Sequence, residues 1–207
     1  MVRGGPDGKR RCAWLGENPA MLAYHDREWG VPVRGDKPLF AKLILDGFQA
    51  GLSWAIILRK RDAFLDAFDR FDPDRMARYT AVRRRRLLAD PGIVRNRQKI
   101  DAAIANARAF LEMREAGARF GPFLWSFVEG ETKENRWRSL KQIPAKTAES
   151  ERMSKALVER GFRFAGPTIC YAFMQAVGIV NDHIVSCFRH REVHRLAVSR
   201  SQPQDEV

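Results

Sequence analysis

A chain with only 3 cysteines and 4 histidines puts one of each near either end. Cys12 and His25 lie in RCAWLGENPAMLAYHDREWG, and His183 and Cys187 in NDHIVSC. No other feature constrains the fold as strongly, because if the two pairs meet, the chain between them must close into a loop. His183 and Cys187 are four positions apart and share a helical face or a tight turn. Cys12 precedes a helix and His25 falls inside it. Two neutral imidazoles and two thiolates make a donor set suited to one tetrahedral zinc ion; with all four valences filled by protein, such an ion is structural. The same residues also read as two buried thiols with ordinary core or surface histidines, and spacing alone does not choose between the two.

Composition limits what the loop can be. At 207 residues, 45% hydrophobic and 10% aromatic, the chain buries a sizeable core as one domain or two small lobes. No apolar run approaches the roughly 20 residues of a membrane span, and the opening MVRGGPDGKRR lacks the apolar stretch of a signal peptide. The expectation is a cytoplasmic protein with no membrane partner, whose thiols are metal ligands or buried groups and not a disulfide frame. Thirty-seven Lys and Arg against 25 Asp and Glu give a net charge of +12. Arginine dominates, which favours an anionic partner gripped by planar, bidentate contacts, nucleic acid before others. A genome that prefers arginine codons gives the same excess. The runs RKR at 59–61, RRRR at 83–86 and RNRQK at 95–99 gather charge in the middle of the chain.

The hydrophobic periodicity is helical almost throughout. Asn18-Pro19 is an N-cap followed by proline at the first helical position, and Asp72-Pro73 repeats that signature. A helix from Asp36 carries the apolar face Leu39, Phe40, Leu43 and Ile44; another begins at Ser53 with Trp54 in its first turn. A long helix runs from about Gln98 to Gly117, residues 129–146 form one long irregular segment, and two more helices follow. Short helices on short turns predict an all-α, orthogonal helical bundle over residues 11–190, with mobile tails at 1–10 and 191–207.

Within it, LLADPGIVRNRQKI at 87–100 describes a helix that stops at Asp90-Pro91-Gly92 and restarts after Ile93-Val94, a helix-hairpin-helix within residues 80–117 with Gly92 in the tight turn. Its backbone amides would converge on one phosphate, with Arg95, Arg97 and Lys99 adding charge. An ordinary turn between helices with a solvated basic face has the same sequence.

The blocks RCAWLGENPAMLAYHDREWGVP, QAGLSW, GIVRNRQKI, LWSFV and RGFRFAGPTICYAFMQAVGIVNDHIVSC, spread over about residues 11–188, together resemble the 3-methyladenine DNA glycosylase I family of the helix-hairpin-helix superfamily. The resemblance implies a structural zinc held by Cys12, His25, His183 and Cys187, a helix-hairpin-helix anchor on double-stranded DNA, and a monomer that removes N3-methyladenine from alkylated DNA by base flipping. It implies a base pocket at Tyr24, Trp29, Trp54 and Asp46, with Asp46 the carboxylate nearest the chemistry, and Leu52 as the apolar wedge that fills the gap in the duplex. It implies a monofunctional reaction, since no residue matches a dedicated catalytic aspartate or a lysine attacking C1′. Two positions depart from the family pattern: Asp46 stands where glutamate is usual, about 1.5 Å shorter in reach, and Met21 stands where tyrosine is frequent. The shortened acid leaves room for a second reading, a zinc-stapled protein that binds lesions without excising them.

Overall fold

The computed structural model describes residues 2–4 and 7–201; residues 1, 5, 6 and 202–207 lie outside the described residues. Asn18 accepts from the amides of Ala20 and Met21 at 2.9 and 3.4 Å, and Pro19 follows, so helix α1 runs Pro19–Arg27. Asp72 caps α4, Pro73–Met76, through the Arg75 amide in the same way. Between them lie α2, Asp36–Gln49, and α3, Trp54–Ala67. Then come α5, Ala81–Ala89; α6, Arg97–Glu115; α7, Phe120–Trp125; α8, Ala148–Glu159; and α9, Pro167–Ala176.

Helix α2 is the hub, packed against α3, α6, α7 and α9. Its apolar positions Leu39, Phe40, Leu43, Ile44 and Phe48 are all buried, each contributing about 1.5–3 kcal/mol by leaving water. Phe48, Phe64, Phe68 and Phe71 continue this core as a run of ring contacts with centroids 4.7 to 6.0 Å apart. A second, smaller cluster gathers Cys12, Tyr24, Trp29, Ala176, Ile184 and Cys187, with Trp14 packed on its edge. Trp54 packs against both clusters, so the seam between them runs along its ring.

Two departures from the sequence reading concern strands and tails. Within the segment 129–146, β3 (Lys133–Glu134) pairs in parallel with β4 (Val180–Asn181), and a single turn of 3-10 helix follows at Leu140–Gln142. Two residues carry no alternation to read, which is why periodicity misses them. The expected tails at 1–10 and 191–207 fall partly on the residues outside the described ones. Among the described residues of those ranges, β1, Val2–Gly4, pairs antiparallel with β2, Arg10–Cys12, and α10 spans Phe188–Ser201. Val193 and Ala197, four apart on α10, are buried, and this face holds the helix against the body.

The chain ends are brought together by a close backbone approach. Gly30 and Val33 donate to the carbonyls of Ala176 and Val177 at 3.2 and 3.0 Å. At Gly178 a side chain is excluded, because a Cβ there would sit 2.5 Å from the Gly30 carbonyl oxygen. This contact sets the end of α9, and the segment after it, beside Trp29.

Candidate functional site

Helix α1 carries Met21, Tyr24 and His25 at spacings of three and four, so one helix looks into two neighbouring places. His25 faces a buried cluster with Cys12, His183 and Cys187, in which one donor atom from each residue lies within 4.8 Å of every other. Cys12 Sγ is 3.7 Å from His183 Nδ1, and Cys187 Sγ is 3.6 Å from the same nitrogen and 3.5 Å from His25 Nε2. A tetrahedral ion with bonds of about 2.3 Å to sulfur and 2.0–2.1 Å to nitrogen separates its S and N ligands by roughly 3.6 Å, so the four side chains fit such an ion.

The remaining ring nitrogens are engaged as ligand histidines require. His25 Nδ1 lies 2.7 Å from Asp26 Oδ1, and His183 Nε2 lies 3.0 Å from the Trp29 carbonyl. Burial holds the His183 pKa below its ordinary value, keeping the ring in the neutral form that ligates. The two thiols cannot ionise together unaided: the Cys12 S–H stabilises a Cys187 thiolate, driving the Cys187 pKa down and that of Cys12 up. A central cation removes that conflict.

Beside the cluster, and sharing Trp14 and Trp29 with it, is a cavity of about 350 Å³, within the range of small-molecule sites. Tyr24 and Trp54 form one wall with ring centroids 5.2 Å apart. Trp29 sits edge-on to the His183 ring at 4.5 Å, so the cluster braces a wall of the cavity. Helix α2 contributes Lys42, Asp46 and Gln49, at i, i+4 and i+7, as a polar stripe on an otherwise apolar helix. Helix α9 adds Ala172, Gln175 and Ala176.

Asp46 is 1% exposed; its Oδ1 accepts from Lys42 Nζ, and its Oδ2 has no partner among the described residues. Burial raises the Asp46 pKa, against the opposing pull of Lys42, and burial lowers that of Lys42. The indole Nε1 atoms of Trp14 and Trp54 are likewise buried without a partner among the described residues. Burial, then the Asp46 charge, raises the Tyr24 pKa and keeps the phenol neutral. Gln175 Nε2 donates to Asp182 Oδ2 at 2.7 Å, and Asp182 also accepts from Tyr171, Trp137 and Asn135 at 2.6–2.8 Å. That buried carboxylate ties α9 to the 133–146 segment, which closes the cavity with Leu140 and Ile143.

Residues 14–190 match the methyladenine glycosylase family. The chain belongs to that family. It is 48% identical over 177 residues to DNA-3-methyladenine glycosylase 1 of Escherichia coli (strain K12), covering 86% of this chain and 95% of the relative. The crystal structure of 3-methyladenine DNA glycosylase I superposes with a TM-score of 0.85 at 49% identity, covering 86% of this chain and 98% of that one. A variant of 3-methyladenine DNA glycosylase I in complex with 3-methyladenine is 35% identical with a TM-score of 0.83, covering 86% of this chain and 96% of that one.

The expected site residues distribute as follows. Tyr24, Trp29, Trp54 and Asp46 line one cavity, and Cys12, His25, His183 and Cys187 converge in one cluster. Leu52 is exposed in the turn between α2 and α3. Arg95 and Arg97 are exposed where residues 90–96 join α5 to α6.

One expectation just beyond that turn is corrected. Lys99 is buried, and its Nζ donates to the carbonyls of Phe48 and Ala50 at 2.8 and 2.6 Å. The end of α2 leaves carbonyls without helical partners, and the ammonium caps them instead of facing a phosphate. Gly92 sits in the turn after α5, and its N–H is donated to Asp90 Oδ1 at 2.7 Å. Its smallness is needed for packing, since a Cβ would lie 3.0 Å from that of Ala63 on α3.

Sequence reasoning missed Lys42, Gln49, Gln175 and Trp14 as lining residues. Lys42 and Gln49 were detectable as polar residues on the Asp46 face of an apolar helix. Gln175 follows only from the packing of α9.

Proposed function

We propose that the chain is a monofunctional DNA repair glycosylase that hydrolyses the N-glycosidic bond of 3-methyladenine in alkylated double-stranded DNA, acting as a monomer in the cytoplasm. The observation that carries this reading is the cavity itself, where aromatic rings enclose a buried carboxylate oxygen with no partner among the described residues. Such a place accepts a planar base extruded from the stack. The exposed Leu52, with Arg95 in the 90–96 turn and Arg97 at the start of α6, supplies the DNA-facing parts expected around it.

Methylation at N3 makes the purine cationic, so it departs as a neutral base and little acid catalysis is required. The protein's task is to open the duplex, hold the nucleotide and discriminate. Leu52 wedges into the vacated stack; Arg95 and Arg97 neutralise backbone phosphates without reading sequence. Tyr24 and Trp54 offer π-faces to the ring, and Asp46 Oδ2 accepts a hydrogen bond from the base edge. As the base leaves, positive charge moves onto the sugar, and nearby carboxylate and phosphate charge stabilises it until water adds. The helix–turn–helix unit formed by α5 and α6 serves as the helix-hairpin-helix anchor.

The four-residue cluster would hold one zinc ion, which when bound fixes β2 and α1 against the segment before α10 and contributes to folding. Asp26 and the Trp29 carbonyl orient the two ligand histidines, and no step of base release passes through them.

The Lys42–Asp46 pair gives one specific ground for the second reading, lesion binding without excision, because the ammonium offsets the charge that would stabilise the sugar cation. Incubating the protein with methylated duplex DNA and separating the released bases by chromatography tests both. The expected result is free 3-methyladenine and unbroken strands carrying abasic sites. DNA binding with no base released supports the second reading and overturns the first.

A further inference from the structure

A second cleft, of about 550 Å³, opens between α10 and the segment that leaves β3. One face of α10 lines it with His190, Arg191, His194 and Arg195, at i, i+1, i+4 and i+5, and Arg136 lines it from the facing segment. The guanidiniums of Arg136, Arg191 and Arg195 have no hydrogen-bond or ion-pair partner among the described residues. The neighbouring acids are committed elsewhere. Glu192, the one acid in the sequence of α10, pairs with Arg189 at 2.8 Å. Glu134, the one acid lining the cleft, accepts from Asn181 Nδ2 at 3.2 and 3.1 Å through its two oxygens, and its Oε1 lies 3.1 Å from His194 Nδ1. With the histidines neutral, three positive charges against one negative leave the cleft two charges positive.

A concave surface carrying one sign of charge concentrates the opposite charge. Guanidinium forks match phosphate oxygens through paired N–H bonds, which makes phosphate the natural occupant of a cleft with three free arginines. The position of the cleft narrows the source. Arg136 stands four residues before Leu140, which lines the base cavity. Four residues span at most about 14 Å, and each strand of a duplex carries one phosphate per about 3.4 Å of axis, so the cleft lies within about four phosphates of the base cavity. Arg191, His194 and Arg195 fall past residue 190, where the match to the methyladenine glycosylase family ends. The α10 wall is thus an addition to the matched region.

Resting on the reading of the neighbouring cavity as the base site, we propose that this cleft is a second anchor for the DNA backbone, separate from the turn between α5 and α6. Arg191 and Arg195 on α10 and Arg136 opposite them grip neighbouring phosphates, and the net charge of the cleft balances about two of them. Glu134, fixed by Asn181 and His194, forms the wall that the phosphates do not approach.

Binding of the full chain to an undamaged duplex, followed by fluorescence anisotropy across a salt series, tests this without lesion or excision. Arg191→Gln with Arg195→Gln is expected to lower the slope of log affinity against log salt by about 0.9 for each phosphate no longer neutralised, about 1.8 for two. Arg191→Lys with Arg195→Lys keeps the charge and is expected to hold the wild-type slope. Arg136→Gln leaves α10 untouched and is expected to lower the slope by about 0.9; if the α10 pair does not fold, this variant decides. Arg152→Gln with Lys155→Gln, both exposed on α8, removes as much charge at a distance from the cleft and is expected to change nothing. A slope unchanged by the α10 pair, or lowered equally by the α8 pair, overturns the proposal. Sodium pyrophosphate titrated into the same proteins, with phosphorus NMR detection, separates the two sources of phosphate. Pyrophosphate binding that the α10 pair abolishes, with the DNA slope unchanged, assigns the cleft to a small phosphoanion and overturns the backbone anchor. Base release from methylated duplex is scored separately: a lowered slope without release sinks only the enzyme reading, whereas release with an unchanged slope sinks only this one.

Discussion

His25 divides its ring between two neighbours: Nε2 lies 3.5 Å from Cys187 Sγ, and Nδ1 lies 2.7 Å from Asp26 Oδ1. Arg11 in turn holds Asp26 through contacts of 2.8 to 3.0 Å. The carboxylate therefore fixes the imidazole so that Nε2 carries the lone pair toward the cluster. Replacing Asp26 by Asn removes that charge while keeping the shape. Zinc affinity, measured by competition with a chromophoric chelator, is expected to fall about 10- to 100-fold; an unchanged affinity contradicts the orienting role.

Removing a ligand outright acts on folding. His183→Ala is expected to purify without stoichiometric zinc and to lose roughly 3 kcal/mol or more of stability, because metal binding free energy is folding free energy at such a site. Denaturant titration alongside elemental analysis checks this. Treating wild type with a strong chelator should reproduce the loss, and added zinc should reverse it.

On the proposed reading, Arg95 in the 90–96 turn and Arg97 at the start of α6, both exposed, would set affinity for DNA without sequence preference. Arg95→Ala with Arg97→Ala is expected to weaken binding to unrelated duplexes alike and to flatten the dependence of log affinity on log salt by about 0.9 for each phosphate that is no longer neutralised. Fluorescence anisotropy across a salt series measures both. Lys99→Ala, by contrast, should lower stability and leave the salt slope unchanged, since its ammonium caps α2.

One ion pair predicts an acid response. Lys133 Nζ lies 2.7 Å from Glu149 Oε1 and holds the Glu149 pKa down to about 2, from an ordinary 4.5. A carboxyl depressed in the folded state stabilises the fold above its unfolded pKa and ceases to do so as pH falls through the folded value. The stability gap between wild type and Glu149→Gln is therefore expected to be full at about pH 6 and to close between about pH 4.5 and 2. Urea midpoints across that range test it, and a gap independent of pH contradicts the assignment.

What the sequence made legible follows from how local each signal is. Caps such as Asn18-Pro19 and Asp72-Pro73 act within one helical turn, and the structure places α1 and α4 where they point. The scarcity of cysteine and histidine raised the question whether Cys12 and Cys187 meet, but spacing left it open, and only the resemblance implied that they do. Lys99 was misread because its charge sits in a basic run, while its actual partner is the end of α2, 49 residues away at Ala50. Lys42 carried a readable signal, a cation four residues before a buried acid on an apolar helix, yet its meaning depends on the Trp54 ring brought over it. Helix α10 lay beyond the matching blocks, and its buried apolar residues among those described, Val193 and Ala197, are too few to announce an amphipathic face.

The central claim is that the Asp46 carboxylate, enclosed by aromatic rings, supports base release. Single-turnover release of 3-methyladenine from methylated duplex DNA, compared between wild type and Asp46→Asn with folding verified for each, tests it most directly. The account predicts release by wild type and a rate about 100-fold lower in the variant, the scale of removing one electrostatic stabiliser from an enclosed site. Equal rates in the two proteins would contradict it.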